Sequence, residues 1–326
     1  MIKIKSVLAK SVSAMALGIA LVPWVHAQEY PARAIRIVLP FGPGGGNDAM
    51  ARLVAEKLGT ALNQRVLVDN RPGGGSVIAS ETVLQAPADG YTLYLVSSTV
   101  AAAPSLQKSL SYDTLRDFSP ITRLGVVPGA LTIHASLPVR NVREFLVLAK
   151  TKPGEVTFGS GGIGSGGHLA GEIFNYVGKV NLLHIPYKST GMATQAMLSG
   201  EVMAIFSNPL AAMPHVKSGR LRFLGVTSAQ RWPLMPEYPA IAEAGLRGYE
   251  YLIWNGMSVK AGTAPAIISR LHRELVTAAN APDVVKFLES HGSRPLTQTP
   301  AEFGVYIKEQ IELIAKVAKA AHLQAK

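Results

Sequence analysis

The 326-residue sequence predicts an α/β fold with two domains, each a mostly parallel sheet flanked by helices. Short apolar runs with the length of buried strands alternate with amphipathic runs that have the 3.6-residue period of helices. This alternation occurs in two successive series, the second of which starts near Gly129. A chain of this length also exceeds what one small core requires. Alternating strands and helices form parallel sheets with right-handed crossovers, which is the architecture we expect.

The first 27 residues have the build of a secretory signal peptide. Lys3, Lys5 and Lys10 form a basic start, an apolar run follows over 12–25, and cleavage is predicted after Ala27. The apolar run is short for a transmembrane helix, and no later segment offers about 18 uninterrupted apolar residues. We therefore expect export to the periplasm. Retention of the segment as a membrane anchor is the alternative.

The first series is predicted from its apolar runs and its helix ends. Strands are predicted at three places: 35–39, 65–69 and 92–96. Asn47 is predicted to cap the first helix, which Gly59 ends, and a second helix covers 77–86.

The second series follows the same logic. Asn141 and Glu144 predict a capped helix that runs through Lys150. Strands are predicted at four places: 156–159, 181–185, 202–206 and 222–226. Helices are predicted after the loop at 159–168 and at five further places: 190–198, from Asn208-Pro209, 265–279, 282–290 and from Thr299.

Thirteen of the 31 glycines lie in three loops, each between a predicted strand and a predicted helix: 42–46, 73–75 and 159–167. Glycine lets a ligand approach the backbone, and a helix start offers unpaired N–H groups with a partial positive charge. Such loops suit a carboxylate or a phosphate. Asp48 complicates the first loop because its carboxylate competes for the helix start. It either caps the helix with Asn47, orients loop N–H groups or waters, or attracts a ligand ammonium.

The arrangements that catalysis requires are missing from the sequence. The absence of cysteine excludes disulfides, thiolate metal sites and cysteine nucleophiles. The stretch "GPGGGND" lacks the Lys-Ser/Thr pair of a P-loop, and no G-x-S-x-G elbow is present. We predict no catalytic residue and no cofactor.

Two rival patterns surround the third loop. Residues 159–164 and 162–167 each fit G-x-G-x-x-G, but the acidic residue that would bind a ribose is missing after the next strand. His168 and Glu172 lie four residues apart on one helix face and could hold a metal ion. No third ligand is apparent, so we predict no metal. A secreted enzyme with a nucleotide-type loop is the alternative function.

The formal charge of +11 falls to +8 without the three signal-peptide lysines. The basic residues are scattered, and no dense run or basic-aromatic alternation predicts nucleic-acid binding. A positive surface either steers anionic ligands or is simply solvated.

Segments that run through essentially the whole mature chain resemble the Bug receptors, the periplasmic solute-binding proteins of tripartite tricarboxylate transporters. These segments are "YPARAIRIVLPFGPGGGNDAMAR", "VLVDNRPGGGS", "ADGYTL", "YDTLRDFSPI", "GSGGIGSGGHLAGEIF", "HIPYKSTG", "SGRLRFLGVTSAQRWPLMPEYPAIAEAG" and "IWNGMSVKAGTAP".

The resemblance implies a Venus-flytrap fold in which the chain crosses between the domains twice. Residues 28–127 and 253–326 would form domain 1, and residues 128–252 would form domain 2. A monomer would hold a small organic anion in the interdomain cleft and deliver it to membrane transporter subunits. Loop backbone, hydroxyls and ordered waters, rather than an arginine, would hold the carboxylate.

The resemblance also implies the ligand contacts by position. Those of domain 1 are Phe41, Gly44, Asn47, Asp48, Ser98 and Thr99. Those of domain 2 are Ser160, Gly162, Ser165, His168, Tyr187, Thr190 and Asn208. The chain departs from the family pattern at Asn47, Ser189 and Met192, so a relative's ligand is not transferable. A sensor that docks on a signalling partner is a third interpretation.

Overall fold

The computed structural model describes residues 30–323. The predicted signal peptide and its cleavage site lie outside these residues. Within the described range, no helix is long and apolar enough to cross a membrane.

Eleven strands, ten α-helices and one short 3-10 helix at Gly74–Ser76 make up the described chain. The strands are β1 (Ile35–Leu39), β2 (Val66–Asn70), β3 (Thr92–Ser97), β4 (Phe118–Pro128), β5 (Ala130–His134), β6 (Thr157–Ser160), β7 (Leu183–Pro186), β8 (Ala204–Ser207), β9 (Leu221–Val226), β10 (Leu252–Lys260) and β11 (Arg294–Pro295). The helices are α1 (Gly46–Leu62), α2 (Val77–Leu84), α3 (Ser98–Leu106), α4 (Val142–Thr151), α5 (Gly166–Gly178), α6 (Thr190–Leu198), α7 (Pro209–Lys217), α8 (Pro265–Ala279), α9 (Pro282–Ser290) and α10 (Pro300–Ala320).

The strands form two separate sheets. The large sheet has the order β11-β4-β10-β3-β1-β2, and the small sheet has the order β7-β6-β8-β5-β9. The predicted two-sheet α/β architecture is therefore confirmed. Each sheet is mixed rather than mostly parallel: β1 pairs in parallel with β2 and β3, and β6 with β7 and β8, whereas β4, β5 and β10 pair antiparallel with their neighbours. The reason is that β4, β5 and β10 carry the chain into and out of the small sheet directly, without a crossover helix.

Helices cover both faces of each sheet. On the large sheet, Ile37, Leu39, Leu93 and Leu95 point to one face and pack against α1, α8 and α9. The opposite face joins a core that continues through Trp254 into the small sheet. This shared core contains the largest buried aromatic side chains, each of which stabilises the fold by about 2–3 kcal/mol through burial.

Thr227 fastens the two places where the chain passes between the sheets. Its Oγ1 accepts from the N–H of Gly129, between β4 and β5, at 2.7 Å and donates to the oxygen of Tyr251, before β10, at 2.6 Å. Its backbone N–H bonds to the Gly129 oxygen at 2.9 Å, and its oxygen accepts from the Tyr251 N–H at 2.8 Å. A fully buried side chain thus links both crossings.

Helix starts were predicted correctly where a capping side chain bonds to a backbone N–H group in the first turn of the same helix. Asn141 accepts from the Glu144 N–H, Asn208 caps α7, and Thr299 forms a capping box with Glu302. The predicted ends of α1 are wrong: its N-cap is Gly45, and it passes Gly59 to end at Leu62, where Asn63 adopts the left-handed conformation that closes the helix.

Candidate functional site

The glycine-rich loops lie at the carboxyl ends of the parallel strands, as expected for an open α/β sheet. In the large sheet, β1, β2 and β3 end at this edge. In the small sheet, β6, β7 and β8 do so. Asn47 from the first edge and Asn208 from the second line the same cavity, so the two edges face each other.

Asp48 organises the first loop from inside. The carboxylate is only 4% exposed. Its Oδ2 accepts from the Gly44 N–H at 2.9 Å and from Arg52 Nε at 3.0 Å, while Oδ1 accepts from Asn70 Nδ2 at 2.9 Å. The bonds from Arg52, Gly44 and Asn70 lower the pKa of Asp48 to about 2. Of the roles considered for Asp48, the geometry fits the one in which it orients the loop backbone.

Asn47 does not cap α1. It lies inside the first turn, and its Oδ1 accepts a hydrogen bond from Asn255 of β10 at 3.1 Å. Phe41 is half-buried against the core of the large sheet, and its oxygen accepts from Asn70 Nδ2 at 2.9 Å. Asn70, at the end of β2, therefore fixes both Phe41 and Asp48.

Hydroxyl groups line the end of β3. Thr99 Oγ1 lies 2.6 Å from Ser97 Oγ and 3.0 Å from Ser76 Oγ, so the three hydroxyl groups are linked by consecutive hydrogen bonds. Ser98, which begins α3, is buried, whereas Thr99 stays partly exposed. Of the two predicted contacts here, Thr99 is the more exposed.

The helix starts at the two edges differ in their capping. Along the large sheet, α1, α2 and α3 begin without a side-chain cap among the described residues. Along the small sheet, Ser165, Ser189 and Asn208 cap α5, α6 and α7 through their side chains. Unpaired N–H groups at a helix start favour an anion. Along the large sheet, however, the Val77 N–H that begins α2 bonds to the Gly74 oxygen, and Asp48 lies in the first turn of α1.

The third loop is held by bonds that it makes within its own side of the molecule. Ser160 Oγ lies 3.1 Å from both the nitrogen and the oxygen of Gly162, and 2.7 Å from His184 Nε2. A Cβ on Gly161 would lie 3.0 Å from the nitrogen of Thr190, so this glycine permits the loop to lie against the start of α6. Gly162 itself has φ of +108°.

His168 is turned into the protein. The ring is fully buried, and its Nδ1 accepts from the Gly164 N–H at 3.1 Å. Burial, with a smaller effect of His184, lowers its pKa to about 3. Burial also lowers the pKa of His184, to about 4, and raises that of Glu172. The two histidines are therefore neutral at pH 7.

His168, Glu172 and His184 offer three ligand atoms within 4.8 Å of one another, so the structure supplies the third ligand that the sequence hides. The hydrogen bonds do not suit a cation. Because Nδ1 of His168 accepts from Gly164, the neutral ring carries its proton on Nε2, the nitrogen that lies 3.8 Å from Glu172 Oε1. A metal ion at Nε2 would need that proton to move to Nδ1, against the Gly164 N–H.

Tyr187 points away from the strand ends. Its hydroxyl donates to Glu201 Oε1 at 2.8 Å, and Glu201 precedes β8, at the opposite end of the small sheet. Burial raises the pKa of Tyr187 to about 12. Thr190 is exposed at the start of α6.

Asn208 reaches from the small sheet to the large-sheet side. Its Nδ2 donates to the oxygen of His291 at 2.9 Å, while its Oδ1 accepts from the Leu210 N–H at 2.9 Å. It lines a cavity of ≈ 160 Å³ together with Asn47 and Asn255. The rest of the lining is mainly backbone and apolar side chains from α1, β4, β10 and α9, with His291 and Ser293 after α9.

The third loop also touches the large-sheet side. A Cβ on Gly164 would lie 3.1 Å from Leu106 of α3, and one on Gly166 would lie 2.5 Å from Ile253 of β10. The structure thus brings Asn47 and Asn208 together around one cavity, while Ser160, His168 and Tyr187 are engaged elsewhere. Asn70, His184 and Asn255 were missed. Their sequence signal is a polar residue at a strand end or inside an apolar strand.

Two facing sheets, joined by two crossings and edged by glycine-rich loops, define a two-domain periplasmic binding protein. Solved structures support this class. One of R. palustris Rpa4515 with adipate has a TM-score of 0.76 and 32% identity, and covers 91% of this chain and 100% of that one. MatC from Rhodopseudomonas palustris with bound malate has a TM-score of 0.71 and 27% identity, and the match covers 88% of this chain and 99% of MatC.

The chain belongs to the tripartite tricarboxylate transporter family receptors, whose family model matches residues 50–323. Protein BugT of Bordetella pertussis is 36% identical over 297 residues, which cover 90% of this chain and 91% of the relative. The predicted resemblance to Bug receptors is confirmed. The family is a class of solute receptors rather than enzymes, and it implies a periplasmic location.

Proposed function

We propose that this receptor binds a small organic carboxylate between the strand ends of its two domains and delivers it to the membrane subunits of a tripartite tricarboxylate transporter. The observation that carries this proposal is the facing pair of loop edges, one of which presents three helix starts without side-chain caps. Such N–H groups bind a carboxylate without a charged side chain.

The ligand contacts are proposed from accessibility. Asn47 and Thr99 would hold the carboxylate on the large-sheet side, with Gly44 and Phe41 beside them. Gly162, Thr190 and Asn208 would close on it from the small-sheet side. Asp48, Ser160 and His168 would shape the loops because their side chains are buried. Ser165 and Tyr187 would do so through their bonds to the His168 N–H and to Glu201. Ser98 would act through its place at the start of α3.

The class of ligand is proposed from the neighbours and from the lining. Adipate and malate, bound by the two related structures, are dicarboxylates. The cavity between Asn47 and Asn208 has amide groups and apolar side chains but no lysine or arginine in its lining. Ordered waters would then complete the contacts to the carboxylate, at little enthalpic cost relative to direct bonds.

The division into domains is part of this proposal. Residues 28–127 with 253–326 and residues 128–252 would be the two bodies, and membership of the two sheets supports this division. We propose that closure turns about the crossings at Gly129 and Tyr251, which Thr227 links, that the protein acts as a monomer and that it has no enzymatic activity. Cleavage after Ala27 would release it into the periplasm.

Thermal-shift titration of the ligand-stripped protein tests the function. The panel would contain malate, adipate and citrate, with NAD and ATP as controls for a nucleotide-type loop. A ligand at a hundredfold excess over its Kd stabilises the folded state by about 2.7 kcal/mol, which moves the melting temperature by several degrees. A shift with a carboxylate and none with NAD or ATP is expected. A shift with nucleotides alone would overturn the proposal.

A further inference from the structure

Two histidines from different elements stack behind the third loop. His168 lies on α5 and His184 on β7, with ring centroids 4.2 Å apart. His168 is fully buried, so a ligand in the cleft cannot touch it in this conformation. The polar contacts of both rings run to the loop that starts at Ser160.

His168 accepts a hydrogen bond from the loop backbone. Its Nδ1 takes the N–H of Gly164 at 3.1 Å, and Gly164 has φ of +80°, a conformation that suits glycine. An accepting nitrogen carries no proton, so the neutral ring is the Nε2–H tautomer. Protonation at Nδ1 would set two N–H groups against each other and break this bond.

His184 acts on the loop through a hydroxyl. Its Nε2 lies 2.7 Å from Ser160 Oγ, and that hydroxyl lies 3.1 Å from the nitrogen and the oxygen of Gly162. Unlike His168, a protonated His184 could still donate from Nε2 to Ser160. The two rings thus fix Gly162 and Gly164, the two positions of the loop with positive φ.

We propose that His168 and His184 are positioning residues: they hold the backbone of Ser160–Gly164 in the conformation that receives the ligand, and neither touches the ligand itself. This inference rests on the proposed function for the role of the loop. It deepens that function by assigning the shape of the loop, on which specificity depends, to His168 and His184 behind it.

The surroundings keep His168 neutral. Glu172 Oε1, on the same helix, is 3.8 Å from Nε2, which is beyond hydrogen-bond distance, and Glu172 accepts instead from Asn175 Nδ2 at 3.3 Å. Lys179 lines the adjacent groove of ≈ 470 Å³, and α10 contributes only the apolar Val317 and Ala320 to that groove. Burial of the ring outweighs the nearby Glu172 carboxyl group and lowers the pKa of His168 to about 3.

Swapped substitutions test the pair, because asparagine and glutamine place their oxygen near different ring nitrogens. In His168→Asn the oxygen lies near the position of Nδ1 and can still accept from Gly164, whereas in His168→Gln it does not. In His184→Gln the amide lies near the position of Nε2 and still reaches Ser160, whereas in His184→Asn it does not. At each position, the variant that keeps the hydrogen bond is the control for loss of the ring.

Amide hydrogen exchange of Ser160–Gly164 in the ligand-free protein is the first readout. Loss of one hydrogen bond should speed exchange roughly tenfold in His168→Gln and His184→Asn, with little change in the other two variants. Affinity for malate and adipate should fall by a similar factor in the same two variants. Equal effects in both members of each pair would overturn the positioning role. If neither acid binds the wild type, the proposed function fails while the exchange result still decides this inference.

Nitrogen-15 spectra of the histidine rings in the wild type test the geometry without a substitution. We expect His168 to stay neutral from pH 7 to pH 5 as the Nε2–H tautomer, with no response to added Zn²⁺. An Nδ1–H tautomer, or a zinc-dependent shift of the signals of both rings, would contradict the positioning role and indicate a metal site instead.

Discussion

The side-chain amide of Asn208 bridges the two sides of the molecule: its Nδ2 donates to the main-chain oxygen of His291 at 2.9 Å. Close by, Trp232 Nε1 donates to the oxygen of Gly292 at 3.0 Å. These bonds join the edge of the small sheet to the segment that follows α9, beside the cavity that Asn47 lines. They hold the described conformation with the two edges together.

Asn208→Asp should shift the molecule toward an open form. Aspartate keeps an acceptor for the Leu210 N–H, so α7 stays capped, but it sets a carboxylate against the His291 oxygen. Small-angle scattering of the ligand-free protein should give a larger radius of gyration than that of the wild type. Asn141→Asp, the same change at a cap that makes only local bonds, should leave the radius unchanged. Equal radii for all three proteins would exclude the bridge as a closing contact.

Thr227→Val should destabilise the protein by about 1–3 kcal/mol, because the Gly129 N–H loses a partner and the Tyr251 oxygen loses a donor. Urea unfolding measures this change. Thr132→Val is the matched control: Thr132 is equally buried, and its hydroxyl has no partner among the described residues. That change should be neutral or slightly stabilising. A similar loss in both variants would contradict the role of Thr227 as the link between the crossings.

Asp48→Ala should weaken carboxylate binding roughly tenfold and cost about 1–3 kcal/mol of stability, because three bonds that hold the first loop are lost. Calorimetric titration and urea unfolding measure the two effects. Asp283→Ala removes a half-exposed ion pair with Lys57 and should cost less than about 1 kcal/mol, without an effect on binding. Lost stability with unchanged affinity would assign Asp48 a purely structural role.

Acidification should destabilise the protein in two separate windows. Unfolded histidine has a pKa of about 6.5, above the depressed folded pKa values of His168 and His184, so the unfolded state binds more protons below that pH. Each ring should lower the free energy of unfolding by at most about 1.4 kcal/mol per pH unit as the pH falls from 6.5 toward 4. The Asp48 contribution is present above its unfolded pKa of 3.8 and is lost toward pH 2.

Urea unfolding at pH 7 and pH 5.5 checks the first window. The double variant His168→Asn with His184→Gln should lose most of the pH dependence that the two rings cause, since neither replacement titrates in this range. If the double variant keeps the full slope of the wild type, His168 and His184 are not the source of the pH dependence.

The elements whose ends are set within one turn were predictable from the sequence. The capped starts of α7 and α10 and the bounds of α8 and α9 depend on prolines and capping side chains that act locally. Strands β4 and β10 were not predicted, because their signal is a long-range antiparallel pairing between segments more than a hundred residues apart.

The candidate site was likewise predictable where its signals are local and not where they are long-range. The sequence located the three glycine loops, since glycine content and strand ends are local features. It misjudged the start of α1, because the Asn47 amide pairs with Asn255, 208 residues away. Ser160 bonds to His184 on β7, His168 bonds to Gly164 in the third loop, and Tyr187 bonds to Glu201 before β8. No spacing rule in the sequence connects the members of these pairs.

A crystal structure with the best-binding acid of the panel tests the central claim most directly. We expect one carboxylate group within hydrogen-bond distance of the backbone N–H groups at 45–47 or of Thr99, directly or through one water, with Thr190 or Asn208 closing from the other side. Electron density for the acid in the groove beside His184 and α10, or on one domain alone with the cleft empty, would contradict it.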